Sequence, residues 1–159
     1  MRRTIPILLF DGSGLVKTTR FKSPSYVGDI LNVVRIFNDK RVDELVVLDI
    51  SEKAKKHGPN FEIMEAVASE CFMPIAYGGG IRTVEDCAAL IKAGFEKVSF
   101  NSAAISHPSI VSEAVRKFGS QAVIVSIDTD KKWFGRGWGV RNPSNGKLIK
   151  DSLTEHLRN

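Results

Sequence analysis

The residues best able to do chemistry in this chain sit in the run Tyr77-Gly78-Gly79-Gly80-Ile81-Arg82-Thr83. Consecutive glycines let a backbone approach a ligand without Cβ interference and reach positive φ. Placed before a helix N-terminus, such a turn can aim N–H donors at an anion, most naturally a phosphate. A second turn of the same kind follows Val98-Ser99-Phe100, where Asn101-Ser102-Ala103-Ala104 opens another helical stretch. Two adjacent strand ends of this composition make a phosphate cup from Gly79, Gly80, Asn101 and Ser102. The plainer reading is two ordinary strand-to-helix turns. Three carboxylates, Asp11, Asp49 and Asp128, also close apolar runs. Each is suited either to proton transfer or substrate contact, or to helix capping without chemistry.

Positioning these groups requires a regular scaffold. Residues 4–10, 44–50, 73–76, 98–100 and 121–127 are short apolar runs of strand length, as expected for strands buried on both faces of a parallel sheet. Between them, residues 29–38, 61–70, 84–93 and 108–118 carry apolar residues at helical period. Residues 15–21 read as a further extended piece bearing Lys17 and Arg20, and residues 51–60 as a polar loop. The order is four βα units, a fifth strand, and the opening of its helix at residues 152–157. This argues a parallel α/β architecture. Period alone does not separate an open doubly wound sheet from a (β/α)8 TIM barrel. The barrel is favoured by polar residues at successive strand ends (Asp11, Asp49, Gly78, Asn101, Asp128) and by the lack of GxGxxG after the first strand. Residues 131–150 read as a hairpin-bearing loop, with Trp133, Phe134, Trp138 and Val140 alternating with polar residues and Asn145-Gly146 as its turn.

The 159 residues suit one domain, and a hydrophobic content of 43% with 26% charged residues is that of an ordinary globular protein. The net charge of +5 is spread along the chain without a Lys/Arg block, which argues against nucleic acid. No segment approaches membrane-spanning length, and no secretory leader is evident, so the cytoplasm is the default. Cys71 and Cys87 lack metal-ligand spacing and read as buried free thiols; no metal or cofactor is expected. His57 and His107 fall in polar turns, with surface placement expected.

Taken together, the strand ends resemble one family. Ile5-Pro6, Gly14-Leu15-Val16-Lys17, the run from Asp43 to Ile50, Gly78-Gly79-Gly80-Ile81-Arg82, Val98-Ser99-Phe100-Asn101-Ser102-Ala103-Ala104, Phe118-Gly119-Ser120-Gln121 and Ile127-Asp128 are similar to the cyclase subunit of imidazole glycerol phosphate synthase. That family is a (β/α)8 barrel of histidine biosynthesis and a lyase. It takes ammonia from a glutaminase partner and reacts it with a phosphorylated ribotide. The resemblance implies that Gly80, Asn101 and Ser102 hold a substrate phosphate, and that Lys17 lies on a loop closing over the site. It makes Asp128 one of two catalytic aspartates. Arg3, Glu44 and Lys97 match three of four charged residues at the ammonia entrance; a structural ion cluster is the other reading.

Two departures qualify it. The family's first-strand catalytic aspartate is matched by Leu9, which cannot exchange a proton; Asp11, two residues on, is a displaced substitute on the same strand face. Cyclisation is therefore expected to be weakened. The loss, with the segment 21–29, resembles a paralogous branch that relays ammonia for sugar amidation in surface-polysaccharide synthesis. Second, a whole barrel takes about 200 residues or more, so the chain reads as an incomplete barrel of about four and a half units. A C-terminal half-barrel, a second copy of the chain, or a sugar-amidating protein are then further expected partners, and an inert truncated remnant is the remaining reading.

Overall fold

The computed structural model describes residues 3–19, 22–131, 137–143 and 145–152. Strand β1 (Ile7–Phe10) leads into an antiparallel hairpin of β2 (Leu15–Thr19) and β3 (Lys22–Gly28). Helix α1 (Ile30–Lys40) starts at Asp29, whose carboxylate accepts the Asn32 amide, and ends at Arg41 in the left-handed region (φ 52°). There follow β4 (Leu45–Asp49), α2 (Glu52–His57), α3 (Phe61–Glu70), β5 (Ile75–Gly78) and α4 (Val84–Ala93). Then come β6 (Lys97–Phe100), α5 (Ser102–Ser106), α6 (Ser109–Phe118) and β7 (Val123–Val125).

Among the described residues the seven strands form one sheet, ordered β3-β2-β1-β4-β5-β6-β7, and β1, β4, β5, β6 and β7 run parallel. Those five lie in chain order with no reversal. A doubly wound sheet would reverse its strand order partway. The arrangement is α/β and that of an incomplete (β/α)8 barrel.

Strand register divides the side chains into two faces. Leu8, Val47, Tyr77, Val98 and Val123 are aligned across the sheet and face the helices. There they meet α1, α3, α4 and α6 through Val34, Met64, Val67, Leu90 and Ala114, all with no exposed surface. The opposite face carries Leu9, Leu48, Gly78, Ser99 and Ile124 in one rung, and Ile7, Val46, Ala76 and Lys97 in the rung below. Ile7 on this inner face is 60% exposed.

Beyond β7, β8 (Thr129–Lys131), β9 (Trp138–Arg141) and β10 (Leu148–Ser152) build a separate antiparallel sheet. The Asn145-Gly146 pair lies in the β9–β10 connection as expected, with Gly146 at φ 70° and its amide donating to the Asn142 carbonyl at 2.8 Å. Trp138 is half-exposed with the Lys131 ammonium 5.8 Å from its ring centroid. Ser152 closes β10 rather than opening a helix. Residues 153–159, with Arg20, Phe21, Trp133 and Phe134, lie outside the described residues. Two elements differ from the sequence-based reading. The stretch taken as a polar loop contains α2, and the extended piece at residues 15–21, which holds β2, is followed by a further strand, β3. No helix among the described residues is long and apolar enough to cross a membrane.

Candidate functional site

Gly79 and Gly80 follow β5, and Asn101 and Ser102 follow its parallel neighbour β6, so the residues read as a cup lie at adjacent strand ends. Gly79 and Gly80 take φ of 123° and 66°. Their α-carbons lie so close to neighbouring backbone that an added Cβ would come within 2.2 Å of the Asp49 carbonyl oxygen and 2.4 Å of that of Ala54. Glycine is therefore required by both conformation and packing. The start of α4 is closed on itself. Thr83 Oγ1 accepts the Asp86 amide at 3.0 Å, while Asp86 Oδ2 accepts the amides of Arg82 (2.9 Å) and Thr83 (3.0 Å). This capping box uses donors that a helix-end anion site would need. The glycine turn, not the helix terminus, is what remains to face a ligand.

Asn101 stands at the start of α5 but makes no side-chain cap. Its amide nitrogen instead donates to Asp128 Oδ2 at 3.4 Å, and its buried Oδ1 has no partner among the described residues. Buried polar atoms are normally satisfied, so this open acceptor suits a hydroxyl or N–H of a ligand, whereas a phosphate oxygen can meet only the amide nitrogen. Ser102 is exposed beside it. Asp128 is held from behind by the small sheet, where the Arg141 amide donates to its carbonyl at 2.7 Å. One turn deeper on the inner face, the hydroxyls of Ser99 and Ser126 are 3.0 Å apart. Sequence reading missed this pair, although parity was a usable signal: Ser99 shares a face with Asn101, and Ser126 with Asp128.

Other expected residues lie elsewhere. Asp11 Oδ1 accepts from the Ser13 amide (2.9 Å), the Ser13 hydroxyl (2.8 Å) and the Gly14 amide (3.0 Å). These bonds, the Ser13 amide first, hold its carboxyl below the usual carboxylate range. Such a group organises its turn and is a poor proton carrier. Asp49 is buried on the helix-facing side, with Oδ1 accepting the Ser51 amide at 2.9 Å and Oδ2 facing the Tyr77 hydroxyl at 3.3 Å. Burial first, and Asp49 second, push the Tyr77 phenol well above its ordinary value. Lys17 is exposed on β2 opposite Ser25.

At the other end of the sheet, Glu44 is 3% exposed and forms ion pairs with both Arg3 and Lys97. Lys97, Ser99 and Asn101 share the inner face of β6, so this cluster lies about 13 Å below the rim at roughly 3.3 Å per residue. Both cysteines are free thiols. Burial, then the charge of Asp86, pushes the Cys87 thiol up to about 11. We expect iodoacetamide at pH 8 to label half-buried Cys71 first and Cys87 only after unfolding, as read by mass spectrometry. The folded Cys87 holds its proton more tightly than the unfolded one. Its contribution to stability is therefore intact below pH 9 and is lost as pH rises towards about 11, which thermal melts across that window would register.

The family model described as "Histidine biosynthesis protein" matches residues 4–152. Among curated proteins, the chain is 52% identical over 154 residues to "Putative imidazole glycerol phosphate synthase subunit hisF2" of Pseudomonas aeruginosa, covering 97% of this chain and 61% of that protein. It is 42% identical over 157 residues to a "Putative imidazole glycerol phosphate synthase subunit HisF" of Leptospira borgpetersenii, covering 96% and 62%. It is 40% identical over 139 residues to "Imidazole glycerol phosphate synthase subunit HisF" of Helicobacter hepaticus, covering 87% and 55%. The chain thus spans between half and two thirds of the length of these relatives.

Proposed function

For a chain that belongs to the histidine biosynthesis protein family, we propose the role of a cyclase-subunit-like barrel portion that binds one phosphate of a ribotide. Gly79, Gly80, Asn101 and Ser102 hold that phosphate, and Lys17 closes over it. Asp128 transfers protons at the reacting nitrogen and hydroxyl groups. Arg3, Glu44 and Lys97 form the entrance for ammonia delivered by a glutaminase. The observation that carries this reading is the convergence of the glycine turn, Asn101 with Ser102, and the Asp128 carboxylate at one end of the inner face. The charge cluster around buried Glu44 stands at the other end of that face.

Leu9 favours a second reading. It lies in the inner rung beside Leu48, where a carboxylate would oppose Asp128 in the cyclase. Asp11 is committed to its own turn and leaves the acid/base pair incomplete. In that reading the protein passes ammonia on to an amidating partner and closes no ring. The test is ammonium-driven conversion of the ribulosyl formimino-carboxamide ribotide, comparing the unaltered chain with Leu9→Asp and Asp128→Asn. The cyclase reading expects weak turnover, raised at least about tenfold by Leu9→Asp and abolished by Asp128→Asn. No turnover in any of the three, with ammonia still passed to a partner, would establish the relay.

A further inference from the structure

Arg82 is the cation nearest in sequence to the glycine turn, and its obvious use is a direct charge contact with the phosphate. The geometry points to another use. Its guanidinium is turned across to the last turn of α2, donating Nη1 to the Lys56 carbonyl at 2.7 Å and Nη2 to the Lys55 carbonyl. These are two of the acceptors that a helix C-terminus leaves without an internal partner. Helix α2 has little else to hold it. It is six residues long, Ala54 is its one buried residue, and a cavity of about 210 Å3 separates it from Phe10, Asp49 and the start of α3. A helix this short is not stable by itself. Ser51 fixes its first turn by accepting the Ala54 amide at 3.0 Å, and Arg82 fixes its last.

The position of α2 matters because Gly80 rests on it. The Gly80 α-carbon packs against the Ala54 carbonyl closely enough to exclude a Cβ. We infer that Arg82 is a positioning residue. By forking onto the α2 carbonyls it locks that helix as the wall against which Gly80 presents its backbone to an anion. This rests on the phosphate reading proposed above.

Two variants separate the roles, because lysine keeps the charge but cannot fork onto two carbonyls. The measurement is calorimetric titration of ribose 5-phosphate at two salt concentrations, with the Gly79 and Gly80 amide resonances followed in the ligand-free protein. Arg82→Gln and Arg82→Lys should both weaken binding about tenfold. Both should move those two resonances before ligand is added, while the salt dependence of binding stays that of the unaltered protein. If Arg82→Lys binds normally, or if Arg82→Gln flattens the salt dependence without moving the glycine resonances, Arg82 contacts the phosphate directly and the inference is overturned. An unaltered protein that binds no ribose 5-phosphate would overturn the phosphate reading itself, a result distinct from either variant outcome.

Discussion

Gly79→Ala should destabilise the protein by about 3–5 kcal/mol, a large share of the roughly 5–15 kcal/mol typical of a domain. Two costs combine. At φ 123° any side chain is strained, and the new Cβ would stand 2.2 Å from the Asp49 carbonyl oxygen and 2.9 Å from its carbon. Backbone cannot yield as a side chain can, and β4 with its paired neighbours would have to shift. Gly14→Ala is the informative control. Its Cβ would approach Tyr26 Cε2 at 2.5 Å and the Gly28 carbonyl oxygen at 3.1 Å, but Gly14 has no positive φ, the exposed Tyr26 ring can move aside, and the backbone approach is far looser than the 2.2 Å at Gly79. We expect that control to cost less than half as much. Thermal melts of both variants decide the matter, with Gly79→Ala lowering Tm by roughly 10 °C or more.

Glu44→Ala should cost about 2–3 kcal/mol. Breaking a buried ion pair from one side leaves an uncompensated charge, which in a fully buried pair costs about 3–5 kcal/mol. The figure is reduced here because the Arg3 side chain is 56% exposed and that of Lys97 is 24% exposed, so water takes over part of the solvation. The partners should therefore differ. Arg3→Ala should cost less than about 1 kcal/mol, as exposed pairs do, whereas Lys97→Met leaves the Glu44 carboxylate buried with one exposed partner. The double change Glu44→Leu with Lys97→Met removes both inner charges and should recover most of the loss. Denaturant melts of these variants, with Glu44→Leu alone added to close the cycle, give the coupling between Glu44 and Lys97. A double variant no more stable than Glu44→Ala would show that packing, and not charge, holds this end of the sheet.

The parallel strands were legible because residues 5–10, 45–48 and 122–125 are apolar without interruption, as a strand buried on both faces requires. Helices α1, α3, α4 and α6 were legible from period, while the caps Asp29 and Thr83 emerge only in the structure. Helix α2 was not. Glu52-Lys53-Ala54-Lys55-Lys56-His57 buries Ala54 alone, so no apolar stripe announces it. Strand β3 was missed for a related reason: Pro24 and its serine neighbours lack the alternation of a half-buried strand, and pairing with β2 overrides that composition. At the site, residue type found the glycines, Asn101 and Asp128, while parity would have placed Asp49. It alternates with Leu45 and Val47, so its side chain goes to the helices when theirs do. The turn built around Asp11 was also written in sequence, since an aspartate followed by Gly-Ser-Gly commonly accepts from the next backbone amides.

The central claim is that the rim binds a ribotide phosphate. Its most direct test is a titration of the 15N-labelled protein with ribose 5-phosphate, followed by amide resonances. The account predicts saturable shifts centred on Gly79, Gly80, Asn101 and Ser102, abolished by Asn101→Asp, which places a second carboxylate beside Asp128. Shifts scattered over surface lysines, or unchanged by Asn101→Asp, would contradict it.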